Sequence, residues 1–399
     1  MKKIVITLLS LCAVFFTQVN IQGADAIGIS TMGTYITVNL YNQGSEEHYS
    51  KIKEIYEYYD YLGSNYLRTS SVYGDLNYVY SINLDKGNEV SVNDDLYAMI
   101  KFSLEMMEET NGYFNPLIGE AVDVWKELIQ NHTNQTITKE VYDEVILQLK
   151  DIPVITKEDI VLDDVNKTVK LLGHAKLDLG AIAKGYATQK VVDYLISKEV
   201  TTYNIDAGSS SIAFGIHPEN RPFKTGLKDP YKLFEDNLYN IYGILSAQDT
   251  HVVTSGDYIQ YVKYNNQILH HIIDPHDYMP KNYYHTITIT GSDGGRLDAY
   301  STAIFNMPEA EAVTFLESRD MFYSFYKKDG VVHNFSESVL QLMKMKEPII
   351  DEPTPNTPKS SNILILIYIL SGIVLVFGSI ITVMMIKERK HKNEQKTTD

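Results

Sequence analysis

From Ile363 to Ile386 the chain runs for 24 residues without a charge. That is long enough to cross a bilayer as a helix with some tilt. Lys387, Arg389, Lys390, Lys392 and Lys396 follow at once, and the positive-inside tendency assigns this tail, 387–399, to the cytoplasm. At the other end, Lys2 and Lys3 precede an apolar stretch from Ile4 to Phe16, and Ala24-Asp25-Ala26 forms an A-x-A cleavage pattern. Together they predict a secretory signal peptide over 1–26. An uncleaved anchor is the alternative, disfavoured because the apolar stretch falls short of the ~20 residues a span needs. Whatever folds between these segments is expected to lie outside the cytoplasm, tethered to the cell membrane at its C-terminal end.

Further constraints follow. Cys12, the only cysteine, sits inside the expected signal peptide, with Ser10 and Leu11 making a poor lipidation site. The mature chain is then expected to have no disulfide, no catalytic thiol and no cysteine-ligated metal. The terminal segments 1–26 and 363–399 carry net +1 and +2 of the chain's −16, which leaves −19 on residues 27–362. Such a balance argues against nucleic acid, whose phosphates need clustered Lys and Arg. Proline-rich EPIIDEPTPNTPKSSN (347–362) reads as a semi-rigid linker. Residues 27–346 have no comparable break and read as one unit.

Within that unit, TYITVNLY (34–41) alternates as a strand, and residues 46–62 place Ile52, Ile55, Tyr56, Tyr59 and Leu62 on one helical face. Asn93 or Asp94 can cap a second helix carrying Leu96, Met99, Ile100 and Met107 that stops near Gly112. After residue 160 the runs IVLDD, KTVKLLG, TTYNIDAG, LYNIYGIL, YIQYVKY and TITITG are strand-like, interrupted by a helix at 181–196. The pattern predicts an α+β fold whose mixed, mostly antiparallel sheet is flanked by helices.

Three stretches carry candidate chemistry. In LDLGAIAKGYATQKVVDYL (177–195), Asp178, Gly180, Lys184 and Gly185 gather at a strand-to-helix turn. Ala183, Ala187, Val191 and Leu195 dock that helix, and its N-terminus near Gly180 offers N–H groups to an anion. It is not a P-loop, and an anion cradle and a packing turn both remain open. In HHIIDPHDYMP (270–280), His270 and His271 face opposite ways along a strand, so one at most serves a site; zinc is disfavoured for want of HxxxH spacing or cysteines. In LDAYSTAIF (297–305), Asp298 and Thr302 stand four apart at an expected helix start. They are hard oxygen donors suited to Mg²⁺, or simply an N-cap and a first-turn threonine. No GxSxG elbow occurs, and DAGSSSIAFG (206–215) is a poor context for a serine nucleophile.

Taken in order, MGTYITVNLY (32–41), NGYFNPLIG (111–119), LDLGAIAKGYA (177–187), NIDAGSSSIAFG (204–215), TSGDY (254–258), HIIDP (271–275) and LDAYSTAIF resemble the ApbE-type FAD:protein FMN transferases. The resemblance implies an extracytoplasmic, Mg²⁺-dependent enzyme with an ApbE, T-fold-like architecture. Such an enzyme cleaves the FAD pyrophosphate, transfers FMN to a Thr or Ser hydroxyl of a separate acceptor protein, and releases AMP. It further implies FAD contacts at Met32, Tyr113, Phe114, Asn115, Asp178, Lys184 and Ile273. Asp298, Thr302 and the Ala181 carbonyl are the implied metal ligands, and His271 the implied base, with Asp274 either orienting it or shaping the turn. Three departures stand out: Asn115 where the family usually has Asp, Ser209 where it has a second Gly, and Asp277-Tyr278 where it has Thr-Gly. An FAD pyrophosphatase that releases free FMN and a non-catalytic flavin-binding surface protein are the competing readings.

Overall fold

A computed structural model describes residues 25–41, 43–230, 241–319, 321–334 and 343–345. By its internal contacts the chain divides after Lys346. The linker, the apolar run 363–386 and the basic tail lie outside the described residues, as does most of the expected signal peptide. Among the described residues no helix is long and apolar enough to cross a membrane.

An eight-stranded sheet organises the first unit: β1 (Asp25–Thr31), β2 (Thr34–Leu40), β3 (Tyr203–Ala207), β4 (Ser211–Phe214), β5 (Thr250–Gly256), β6 (Tyr284–Gly291), β7 (Tyr323–Lys327) and β8 (Val332–Asn334). Each strand pairs antiparallel with its predecessor, so the sheet is a meander in chain order. Parallel pairing among the described residues is limited to two isolated bridges, Ile118 with Lys176 and Thr136 with Lys263. The α+β expectation therefore holds, with ladders more uniformly antiparallel than expected. β1 begins at Asp25, two residues inside the expected signal peptide, with Asp25 and Ala26 opposite Leu40 and Asn39.

Apart from the short strand Met343–Met345, which pairs with residues 243–245, the other elements are inserted between neighbouring strands. Between β2 and β3 come α1 (Glu46–Leu62), α2 (Val79–Leu84), α3 (Asp94–Glu109), α4 (Gly119–His132), α5 (Lys139–Lys150) and α6 (Ala183–Ser197). A small three-stranded sheet (90–91, 160–163, 168–171) sits among them. The hairpin Phe223–Lys228/Ile241–Ala247 follows β4, and Tyr261–Tyr264/Gln267–His270 follows β5. Between β6 and β7 lie α7 (Gly294–Asn306) and α8 (Glu309–Glu317).

Alternation decides which face meets which layer. Ile36, Val38, Leu40, Ile205 and Ala207 point to one side, fully buried beneath the helices. Each large apolar side chain buried there contributes about 1.5–3 kcal/mol. Residues of opposite parity, Phe214 and Val252, pack under the 223–247 hairpin in a second, smaller cluster. α1 forms as its sequence predicts: the Ser45 side chain accepts the His48 N–H at 3.2 Å, and Tyr49, Ile52, Tyr56, Tyr59 and Leu62 are buried. Of the two candidate caps for α3, Asn93 is the one used, accepting the Leu96 N–H at 2.9 Å.

Candidate active site

α6 and α7 cross almost backbone to backbone. A Cβ on Gly185 would lie 2.1 Å from the Gly294 carbonyl oxygen and 2.7 Å from Asp298 Cγ, and one on Gly294 would lie 2.7 Å from His251 Nδ1. The glycine of the Lys184-Gly185 pair thus serves helix contact. At the crossing, the Gly185 N–H donates to Asp298 Oδ2 at 2.6 Å. That N–H would otherwise close the first helical bond onto the Ala181 carbonyl, which accepts no backbone bond among the described residues. Thr302 follows Asp298 by one turn of α7. The expected helix start is corrected: α7 begins at Gly294, capped by Asp293, whose side chain accepts the Arg296 N–H at 3.0 Å. Asp298 therefore lies in the second turn, where the helix is buried nearly all round, and an N-cap role is ruled out. The hydroxyl chain Ser255–Ser301–Asp298 carbonyl, 2.9 and 3.0 Å, ties the TSGDY strand to this turn.

Beside the crossing opens a cavity of about 380 Å³. Met32 and Gly33, at the β1–β2 turn, line it together with Asp178, Gly180, Ala183 and Lys184. Met32 holds φ 52 and Gly33 φ 68, the left-handed pair that a two-residue hairpin requires and that a methionine adopts only at a cost. Asp178 Oδ1 accepts the Gly180 N–H at 2.7 Å, which shapes the turn into α6. The Lys184 ammonium makes no hydrogen bond or ion pair among the described residues. Its charge acts on both Asp298 and His271. Tyr66, Arg68, Lys126 and Gln130 also line it, beside residues from the end of α1 such as Asp60. No sequence motif marks these four, because they converge only when α4 and the loop after α1 fold over the α6 turn.

Burial raises the Asp298 carboxyl to about 7, although Lys184 and the Gly185 N–H favour its ionised form. The two adjacent histidines part company. His270 is fully buried: Nε2 donates to the Lys281 carbonyl at 2.8 Å, and Nδ1 accepts the Ile272 N–H at 3.2 Å. Burial lowers its pKa to about 4, so it is a neutral structural group. His271 is exposed, with Nδ1 3.4 Å from the Gln260 carbonyl. Crowding by protein pushes its pKa down, and Lys184 and Lys126 add to the effect. Its opening to solvent limits that shift compared with His270, and the direction leaves it neutral at physiological pH. Nδ1, facing a carbonyl, carries the proton, and Nε2 keeps its lone pair.

Other expected site residues lie apart from this cavity's wall. Tyr113 stacks edge-on with His276 at 4.6 Å and donates to Glu311 at 2.9 Å. Phe114 and Ile273 are buried in the core, and the Ile273 carbonyl accepts from Asn306 at 3.1 Å. Asp274 contacts His276 at 2.7 Å and Lys281 at 3.2 Å. Of the two readings for Asp274, the structure selects turn shaping. Asp257 of TSGDY is fully buried against His285 and Lys328. Burial alone would raise its pKa, but these two partners hold it low.

Two of the three departures meet at one place. Asn115 donates from Nδ2 to the Ile155 carbonyl at 2.9 Å, and Oδ1 accepts the Leu117 N–H at 2.9 Å. Tyr278, at φ 59, accepts the Ile155 N–H on its hydroxyl at 3.1 Å and donates to the Pro153 carbonyl at 2.5 Å. Asn115 and Tyr278 thus hold opposite sides of the Ile155 peptide. The third departure, Ser209, sits at φ 62 with its N–H on Asp206 Oδ1 at 2.5 Å.

Among the described residues, no three His, Cys, Asp or Glu converge to hold a metal. A carboxylate oxygen, a threonine hydroxyl and a freed carbonyl are instead a sparse set of hard donors, suited to Mg²⁺ that keeps waters and takes phosphate oxygens.

The ApbE family pattern matches this chain over residues 32–325. The chain belongs to the ApbE family. Among curated ApbE relatives, an FAD:protein FMN transferase of Klebsiella pneumoniae is 26% identical over 291 residues, 72% of this chain and 84% of the relative. That of Haemophilus influenzae is 23% identical over 329 residues, 79% of this chain and 91% of the relative. Among solved structures, the ApbE protein of Thermotoga maritima superposes with TM-score 0.65 at 23% identity, covering 82% of this chain and 100% of that one. Flavin transferase ApbE from Vibrio cholerae gives 0.61 at 20%, covering 80% and 100%. These superpositions establish that the chain has the ApbE fold.

Proposed function

We propose that this protein transfers FMN from FAD to a threonine or serine hydroxyl of a partner protein and releases AMP. The carrying observation is the α6–α7 crossing, where Asp298 draws off the Gly185 N–H and leaves the Ala181 carbonyl available. The activity for which these relatives are named points the same way. Asp298 Oδ1, Thr302 Oγ1 and the Ala181 carbonyl would hold Mg²⁺, which when bound neutralises pyrophosphate oxygens and eases departure of AMP. Lys184 and the first N–H groups of α6 receive the phosphates of FAD. His271 Nε2 takes the proton of the acceptor hydroxyl as its oxygen bonds to the FMN phosphorus and the P–O bond to AMP breaks. An exposed base suits a large acceptor, which must bring its hydroxyl in from solvent. The uncharged run 363–386 and the cations after it support a single-pass anchor with the catalytic unit outside the cytoplasm.

Incubation of the purified protein with FAD, Mg²⁺ and a flavin-acceptor domain tests this reading. The expected result is one covalent FMN on a hydroxyl residue of the acceptor, seen by intact mass and peptide mapping. Free FMN and AMP without adduct would make it an FAD pyrophosphatase, and intact FAD would make it a flavin-binding protein.

A further inference from the structure

The cavity wall contains a second lysine outside the LDLGAIAKGYA motif. Lys126 projects from α4, and its ammonium lies 4.8 Å over the ring of Tyr66, held in a cation–π contact. Asp178, on the opposite element, attracts it. The other charges of this wall are already balanced: Arg68 pairs with Asp60 at 3.3 Å, and Asp60 also accepts from Thr31 at 3.0 Å. Asp178 faces Lys126 but gives one oxygen to the Gly180 N–H. In a chain of net charge −16, the cavity therefore carries two half-buried ammonium groups, Lys126 and Lys184, on separate helices. The imidazole of His271 feels the charge of both.

Resting on the flavin-dinucleotide reading above, we propose that Lys126 is the second phosphate-binding cation of the site. The Lys126–Lys184 pair then selects a dinucleotide diphosphate over a mononucleotide. Two ammonium groups match two adjacent phosphates, whereas a monophosphate engages only one and leaves the other without a phosphate partner. Tyr66 fixes the position of Lys126 before the ligand arrives, which lowers the ordering cost of binding.

The test is flavin affinity, read by fluorescence on the full-length protein without acceptor, for FAD, FMN and riboflavin. Lys126→Gln is expected to weaken FAD by about ten- to hundredfold, the range for a hydrogen bond to a charged group. Riboflavin affinity stays unchanged, and the FAD-to-FMN affinity ratio collapses. The salt dependence of FAD binding falls with it, and Lys126→Arg restores most of the affinity. An unchanged FAD-to-FMN ratio, or an equal loss for all three flavins, overturns the proposal. Failure of the wild-type protein to bind FAD overturns the functional reading instead.

Discussion

Two buried polar junctions, the α6–α7 crossing and the clasp around Ile155, are built from residues of the same motif set, yet they end in opposite states. At the clasp, Asn115 uses both ends of its amide, and the Tyr278 hydroxyl both donates and accepts. Each of these groups already has a protein partner. At the crossing, the bond from Gly185 to Asp298 leaves the Ala181 carbonyl without a backbone partner, and Lys184 nearby makes no hydrogen bond or ion pair, among the described residues. The histidines repeat the contrast, with both His270 ring nitrogens engaged and His271 Nε2 open. Burial obliges every polar group at the clasp to be paired, whereas Ala181 and His271 are exposed, so their open groups are free to meet water or a ligand.

The sharpest break of this contrast is Asp298→Ala. Turnover is expected to fall at least about a thousandfold while FAD binding falls far less, measured by FMN transfer alongside flavin fluorescence. Wild-type turnover in this variant, or in excess chelator, would remove the metal from the mechanism. Next is His271→Gln, expected to lose about a hundred- to ten-thousandfold in turnover, the range for general base catalysis, with an unchanged melting temperature. The matching change His270→Gln should instead lower the melting temperature and leave the turnover of folded protein near wild type.

A third test uses pH. Burial raises Asp298 to about 7, so below that pH a divalent cation must displace a proton. Apparent Mg²⁺ affinity should fall about tenfold per pH unit below 7, and added Mg²⁺ should shift the acid limb of activity to lower pH. In the metal-free protein the sign is fixed by the raised pKa. The contribution of Asp298 to stability is fully present below its unfolded value of 3.8 and is lost as pH rises through about 7. An acid limb insensitive to Mg²⁺ would assign it to another group. The smallest effect on chemistry belongs to the clasp: Asn115→Asp removes the donor to Ile155 and buries a charge. It should cost about 1–3 kcal/mol of stability in denaturant melts, with turnover per folded molecule unchanged. A loss of FAD affinity there would bring Asn115 into the flavin site.

Local signals survived folding well. α1 spans the expected 46–62, and α6 covers 183–197 against an expected 181–196, because a capping serine, a docked stripe and apolar spacing act within one element. α7 began earlier than LDAYSTAIF suggests because Asp293-Gly294-Gly295 supplies the cap and the close approach, and glycines carry no apolar pattern. Lys126 and Tyr66 were illegible for a different reason: their meeting is tertiary. Gly185 was legible as constrained, and one source of the constraint is α7, whose Gly294 and Asp298 a Cβ there would meet.

Strand order adds a last consequence. Met32 belongs to the first hairpin of the meander, whereas Asp298 and Thr302 arrive after the sixth strand. No contiguous fragment holds both without the intervening strands. On the proposed function, flavin and metal would bind only the assembled sheet, and by mass action each would raise its unfolding temperature. A thermal shift with FAD and Mg²⁺ then reports on the integrity of the entire unit, including chains in which no acceptor is at hand.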